Sequence, residues 1–303
     1  MIELTHLHKK FGARTAVGDL TLSVPRGEIF GLLGHNGAGK STTIGMMLGQ
    51  VWPTGGEVKV CGHDVTSRRA KALQKVGAIF EAPAFYDYLS GWRNLEILSH
   101  YTAPTSKERI REVVDWVGLT GREQSPVKTY SHGMRARLAL AQALLPQPEL
   151  LILDEPGSGL DPEGIAEMRQ TILRLHRELG LTILLSSHLL TEVEQLCTRI
   201  AVLHRGEKVF DGKIADVRAA RGQVALRTGD FTAAVTLLRE QKLISGSKGI
   251  EFILLCEGVT TSEIARTLVQ AGHAVEGLWA HEQTLEDFYL ELVKSSSATL
   301  KQN

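Results

Sequence analysis

The segment Gly34-His35-Asn36-Gly37-Ala38-Gly39-Lys40-Ser41, with Thr42 behind it, has the spacing G-x-x-x-x-G-K-[ST]. A phosphate chain is held by backbone N–H groups converging on it, and glycine lets the backbone come that close. A helix starting at Lys40 would add the positive end of its dipole. Lys40 would then reach the terminal phosphates, and the Ser41 hydroxyl would ligate Mg²⁺. The apolar run Ile29-Phe30-Gly31-Leu32-Leu33 reads as a buried strand feeding the loop. That context separates a phosphate loop from a chance cluster of glycines. A second apolar run, Leu150–Leu153, ends in Asp154-Glu155. Asp154 is suited to hold the metal, directly or through water, and Glu155 to polarise a water attacking the γ-phosphate. An acidic pair at a strand end is by itself usually just solvated. In one chain with a phosphate loop it reads as the other half of a phosphoryl-transfer site.

The elements that must carry these residues belong to an α/β fold with a largely parallel sheet. Val76-Gly77-Ala78-Ile79-Phe80 and Thr182-Ile183-Leu184-Leu185 join the two runs above as buried strands. Each ends in polar residues, as expected where parallel strands deliver side chains to a site at their carboxyl ends. Between 82 and 145 the pattern turns mainly helical: Ile110, Val113, Val114 and Val117 follow helix spacing, with Gly118 and Gly121 at its end. Ile165, Met168, Ile172, Leu175 and Leu179 form one face of another helix, stopped by Gly180. A weaker boundary at 216–223 separates residues 1–215 from a small α+β domain over 216–294. Its signals are the alternation Val224-Ala225-Leu226, a helix from Phe231, a strand Ile250–Cys256, a helix from Ser262, and a closing helix with Leu285, Phe288, Tyr289 and Leu292. Residues 295–303, with three serines in a row, read as a disordered tail. No internal repeat is present.

Composition narrows the function. The 303 residues carry 34 Lys and Arg against 34 Asp and Glu, a formal net charge of zero. Nucleic-acid binders normally carry a basic excess, so that class is disfavoured. Apolar residues make up 43%, ample for a core, and 30 glycines exceed the ~7% average and point to many tight turns. No run approaches the ~18–20 apolar residues of a membrane-spanning helix. The start Met1-Ile2-Glu3-Leu4-Thr5-His6 lacks the charged-then-apolar layout of a signal peptide. Cys61, Cys197 and Cys256 are scattered without metal or redox spacing and read as core packing in a reducing cytosol.

Upstream of the strand ending in Asp154 stands Tyr130-Ser131-His132-Gly133-Met134, followed by Arg135-Ala136-Arg137. With this segment the chain resembles the ATPase subunits of ABC transporters, over roughly residues 2–212. The resemblance implies a P-loop NTPase core with a helical subdomain over about 82–145, ATP as the nucleotide and Mg²⁺ as its metal. It places Ser131 and Gly133 in the family's signature motif, on the γ-phosphate held by a partner subunit; His132 and Met134 depart from the commonest form. Ser158-Gly159-Leu160-Asp161 resembles the loop through which two subunits communicate, and His188 matches the histidine that touches the γ-phosphate and orients water. Phe11 stands where the family stacks a ring on adenine, although it could equally be core.

Glu81 stands where the family most often has glutamine facing Mg²⁺ and water. A glutamate keeps the oxygen and adds a charge, so it either carries a raised pKa, is held by metal and a partner's cation, or is simply a tolerated isostere. Together with Pro83, Phe85, Tyr86 and Asn94, it resembles the ATPases of bacitracin-type resistance and lantibiotic self-immunity exporters. The segment Thr284–Leu292 resembles the extension of ABC-2-type exporter ATPases. The resemblance therefore implies a cytoplasmic ATPase on the inner face of the membrane, working as a head-to-tail homodimer (or with a close homologue) beneath permease subunits on separate chains. Phe85, Tyr86, Tyr88 and Trp92 would form the permease-docking patch. An importer ATPase and a soluble ABC protein acting on ribosomes or DNA are the alternatives.

Overall fold

Ile2, Leu4 and Leu7 turn inward along β1 (Ile2–Phe11), and Val17, Leu20, Leu22 and Val24 along β2 (Arg14–Val24). The chain of this computed structural model, which describes residues 1–81, 84–102, 105–219, 223–256, 258–281 and 284–299, thus begins as a hairpin with one buried face. β3 (Ile29–Leu33) is buried along its whole length and runs through the glycine loop into α1 (Lys40–Met47). β4 (Gly55–Val60) and the short β5 (His63–Asp64) return to the hairpin, giving an antiparallel sheet of order β2-β1-β4-β5. The sequence reading did not foresee this sheet, because bulges in β1 break its period-two alternation.

After α2 (Val65–Leu73) comes β6 (Val76–Ile79), then α3 (Gly91–Thr102), α4 (Lys107–Trp116) and α5 (His132–Leu144). Ile110, Val113 and Val114 are the buried face of α4, as their spacing requires. β7 (Leu150–Asp154), α6 (Pro162–Leu179), β8 (Thr182–Ser187), α7 (Leu190–Leu196), β9 (Arg199–His204) and β10 (Glu207–Lys213) complete the first part of the chain. The central sheet has the order β10-β9-β3-β8-β7-β6, parallel except for the β10–β9 hairpin. Helices cover a parallel sheet on both faces, which is why β3, β7 and β8 read as unbroken apolar runs. At Gly77 of β6 a Cβ would lie 2.1 Å from the Ala143 carbonyl oxygen, so α5 seats directly on the strand backbone. α6 is capped by the Asp161 carboxylate, which accepts from the Gly164 N–H at 2.9 Å, and ends at Gly180 with φ of 65°. Leu179, assigned by its spacing to the buried face of α6, is exposed in the last turn.

The chain divides into two compact units, Met1–Lys213 with the segment starting at Leu292, and Ile214–Glu291. The second holds α8 (Ile214–Ala219), β11 (Gln223–Thr228), α9 (Phe231–Glu240), β12 (Ile244–Lys248), β13 (Phe252–Leu255), α10 (Thr261–Gln270) and β14 (Val275–His281). From β11 onward this is a split β-α-β with antiparallel order β12-β13-β11-β14. Its core joins Val224, Leu226 and Ile253 to Val235, Leu238, Ile264 and Leu268. β12 and β14 had no counterpart in the sequence reading, since serines and glycines interrupt their apolar pattern. The strand placed at Ile250–Cys256 is shorter, and Ile250 is exposed ahead of it. The tail expected to be disordered from residue 295 is instead helical to Thr299, because α11 (Leu285–Thr299) meets no glycine or proline to stop it; residues 300–303 lie outside the described residues.

Among the described residues no helix is long and apolar enough to cross a membrane. Cys61, Cys197 and Cys256 are free; Cys197 is buried, and burial pushes its thiol pKa up.

His204, at the end of β9, is 6% exposed, and neither ring nitrogen has a hydrogen-bond partner. His35 of the glycine loop packs edge-on against it with ring centroids 5.2 Å apart. Burial, then the neighbouring His35 and Arg205, hold the His204 pKa below the usual 6.5. Above pH 6.5 the ring is neutral whether folded or unfolded, and nothing is lost. As pH falls through 6.5 the unfolded chain takes up a proton that the folded chain refuses, so stability declines until the lower folded pKa is passed. Thermal melts between pH 7.5 and 5.5 should therefore show a shallower acid loss for His204→Phe than for the native chain.

Candidate active site

The loop between β3 and α1 is shaped by glycines in backbone conformations that side chains rarely adopt. Gly34, Gly37 and Gly39 have φ of 156°, 82° and 105°. A Cβ would lie 2.5 Å from the Leu203 carbonyl oxygen at Gly34 and 2.7 Å from that of Ala16 at Gly39. His35, Asn36 and Gly37 are exposed at the loop's crest, while Ala38 turns in and its N–H donates to the His35 carbonyl at 3.0 Å. Lys40 opens α1 and its side chain folds back. Its Nζ donates to the Gly34 carbonyl at 2.7 Å and lies 3.3 Å from Oε1 of Glu155.

A cavity of about 460 Å³ joins Asn36, Gly37, Gly39, Lys40, Ser41 and Thr42 of this segment to Glu155 and His188. His188 Nδ1 is 2.5 Å from Oε2 of Glu155, so that carboxylate is gripped between an ammonium and an imidazole. A carboxylate so placed, beside a phosphate-binding loop, can orient and polarise a water for in-line attack.

β8 supplies a residue that sequence reasoning missed. The Ser186 hydroxyl donates to Oδ1 of Asp154 at 2.5 Å and accepts from the Glu155 N–H at 3.0 Å. One side chain therefore orients both acidic residues; the Ser186-Ser187 pair ending the strand was its only sequence signal. Arg14, at the start of β2, also lines the phosphate cavity, and nothing in its surroundings in sequence marked it. Glu155 and Glu81 both follow strands with left-handed backbone, φ 51° and 59°. Such conformations cost about 1–3 kcal/mol in a non-glycine residue and cluster where a side chain must be aimed.

Glu81 shares a second cavity, about 480 Å³, with Asp154, Glu155 and the α5 residues His132 and Arg135. Among the described residues no group of three or more His, Cys, Asp or Glu side chains could hold a metal. The Asp154 carboxylate lines this second cavity and the exposed Ser41 hydroxyl lines the first, and both are oxygen donors of the kind Mg²⁺ takes.

Of the expected residues, Gly34, His35, Ala38, Glu81, Asp154, Ser131, Gly133, Asp161 and Phe11 do not line the phosphate cavity of their own chain. Ser131 caps α5, accepting from the Met134 N–H at 3.2 Å; Gly133 follows in its first turn, and Asp161 caps α6. Phe11, at the end of β1, is 52% exposed, with the Lys9 ammonium 4.7 Å from its ring centroid. Pro83 lies outside the described residues.

Comparison with known proteins gives a consistent result. A family model described as ABC transporter matches residues 17–158. YhcH of Bacillus subtilis, an ABC transporter ATP-binding protein, is 41% identical over 96% of this chain and 95% of its own. The bacitracin transport ATP-binding protein BcrA of Enterococcus faecalis is 36% identical over 97% of this chain and 96% of its own. A solved ATP-binding subunit of an ABC transporter shares 29% identity at a TM-score of 0.63, covering 73% of this chain and 92% of that one. A glycine loop with its buried lysine, an acidic strand end and this breadth of likeness lead to one conclusion: the chain belongs to the ABC transporter ATP-binding proteins and is an ATPase of the P-loop fold.

Proposed function

We propose that this chain drives export of a drug or peptide antibiotic through permease subunits carried on separate chains. The observation that carries the hydrolytic part is Glu155 held between Lys40 and His188. Glu155 takes the proton of the attacking water, His188 orients that water, and Lys40 neutralises phosphate charge. Ser41 and Asp154, with Glu81, would hold Mg²⁺, which would supply further charge neutralisation on the phosphate oxygens. Ser131, Gly133 and Asp161 do not line their own phosphate cavity, which supports a head-to-tail dimer in which Ser131 and Gly133 complete the partner's site. A site completed only on closure couples hydrolysis to motion.

Export is supported by end-to-end likeness to a bacitracin transport ATP-binding protein, the second unit included. Tyr86 and Tyr88 are exposed and meet edge-on at 6.2 Å, offering a docking patch for a permease segment at the inner face of the membrane. Their loop is pinned by the Arg135–Asp87 ion pair at 2.8 Å and by Asn94, whose Oδ1 accepts from the Tyr86 N–H. Phe85 and Trp92 contribute less than their sequence position suggested, because both are half-buried.

Glu155→Gln should slow ATP turnover by about 10²-fold or more while ATP binding persists; turnover near the native rate would reject the base assignment. Glu81→Gln separates a special role from a tolerated isostere, since unaltered turnover and unaltered transport-linked resistance together would leave Glu81 without one. A strain lacking the gene should become hypersensitive to one or more peptide antibiotics. Unchanged sensitivity across such a panel would turn the export reading down.

A further inference from the structure

Gly157 is the second residue after Glu155, and Glu192 lies in the first turn of α7, just beyond His188. The two meet. A Cβ on Gly157 would lie 3.0 and 3.1 Å from the two carboxylate oxygens of Glu192 and 3.4 Å from its carboxyl carbon. Gly157 is not among the glycines with positive φ, so its torsions do not demand glycine; a side chain there would press on the Glu192 carboxylate, which would have to give by a few tenths of an ångström. Oε1 of Glu192 is fully buried without a hydrogen-bond partner, an expensive arrangement that calls for a reason. Burial raises the Glu192 pKa, Arg169 and His188 pull it down, and the nearby Glu155 raises it again, so the group sits in the field of the catalytic pair.

These contacts close a ring. From Glu155 the chain passes to Gly157, across to Glu192, back along the start of α7 to His188, and from its Nδ1 to Glu155 at 2.5 Å. The Glu155 N–H is tied to Ser186 of β8; His188 and Glu192 add contacts from the segment that follows that strand. Two points of contact form a brace.

We propose that Glu192 is a positioning residue for hydrolysis, its carboxylate bracing the backbone at Gly157 so that Glu155 and His188 keep their spacing. The proposal rests on Glu155 and His188 being the hydrolytic pair. The loop beyond Gly157 carries Ser158 and Asp161, so a displacement there passes through the same brace to His188. A misplacement on the order of 1 Å at such a pair costs rate and leaves ground-state binding largely intact.

The test uses the purified full chain, with steady-state ATP turnover and the Kd for ATP measured on each variant. Gly157→Ala should lower kcat about tenfold or more with Kd for ATP within about twofold of native. Glu192→Asp withdraws the carboxylate by one methylene. Combined with Gly157→Ala it should restore kcat to within about threefold of native, a non-additive rescue that residues out of contact do not show. Native turnover in Gly157→Ala, or a double variant no faster than Gly157→Ala, overturns the proposal. Should Gly157→Ala fail to fold, Glu192→Ala decides: kcat reduced at unchanged Kd supports the brace, and unchanged kcat removes it. Glu155→Gln run in parallel keeps the two ideas apart. If it turns over normally, the hydrolytic assignment itself falls; if it is inactive while 157 and 192 show no coupling, the brace alone falls.

Discussion

The Lys40 side chain is only 5% exposed, and a cation so largely withdrawn from water needs partners inside the protein. Those partners are the Gly34 carbonyl at 2.7 Å and Glu155 at 3.3 Å. Glu155 is the more exposed partner, and it leaves the pair open to the phosphate cavity. This requirement draws the ends of β3 and β7 to one place. In the sheet order β3-β8-β7 the strand between them is β8, so its end supplies what the gap needs: Ser186 between the two acidic residues and His188 on the far side of Glu155.

The same geometry explains where the structure accepts cost. Glu81 and Glu155 are held in left-handed backbone, His204 is buried beside the glycine loop without a hydrogen bond, and Glu192 buries an unpaired oxygen. All lie within or next to the phosphate site. The surrounding parallel sheet, apolar on both faces, supplies the burial that offsets these terms.

The local part of the site was legible in the sequence. Gly34 to Thr42 is one continuous segment, much of which lines the cavity, so its spacing carries its geometry. Asp154 and Glu155 were legible because they end an unbroken apolar strand. Ser186, Arg14 and Glu192 were not, since the site residues each lies beside are far from it along the chain. The antiparallel sheet was missed for a related reason: bulges in β1 shift its inward residues off strict alternation. In the second unit, Ser245, Gly246 and Ser247 interrupt the apolar pattern of β12, and only pairing with β13 makes it a strand.

What the sequence by itself determined is the chemistry on offer: a loop of backbone donors, a lysine, a hydroxyl, two carboxylates and a histidine, together with an α/β core to hold them. Short-range sterics and burial patterns are enough for that, because glycine torsions and apolar runs are properties of neighbouring residues. Only the tertiary structure decided that Glu155 sits between Lys40 and His188, that one serine orients both acidic residues, and that Glu192 lies beside Gly157. Those facts depend on which strands become neighbours, and strand order is set by the packing of the whole sheet.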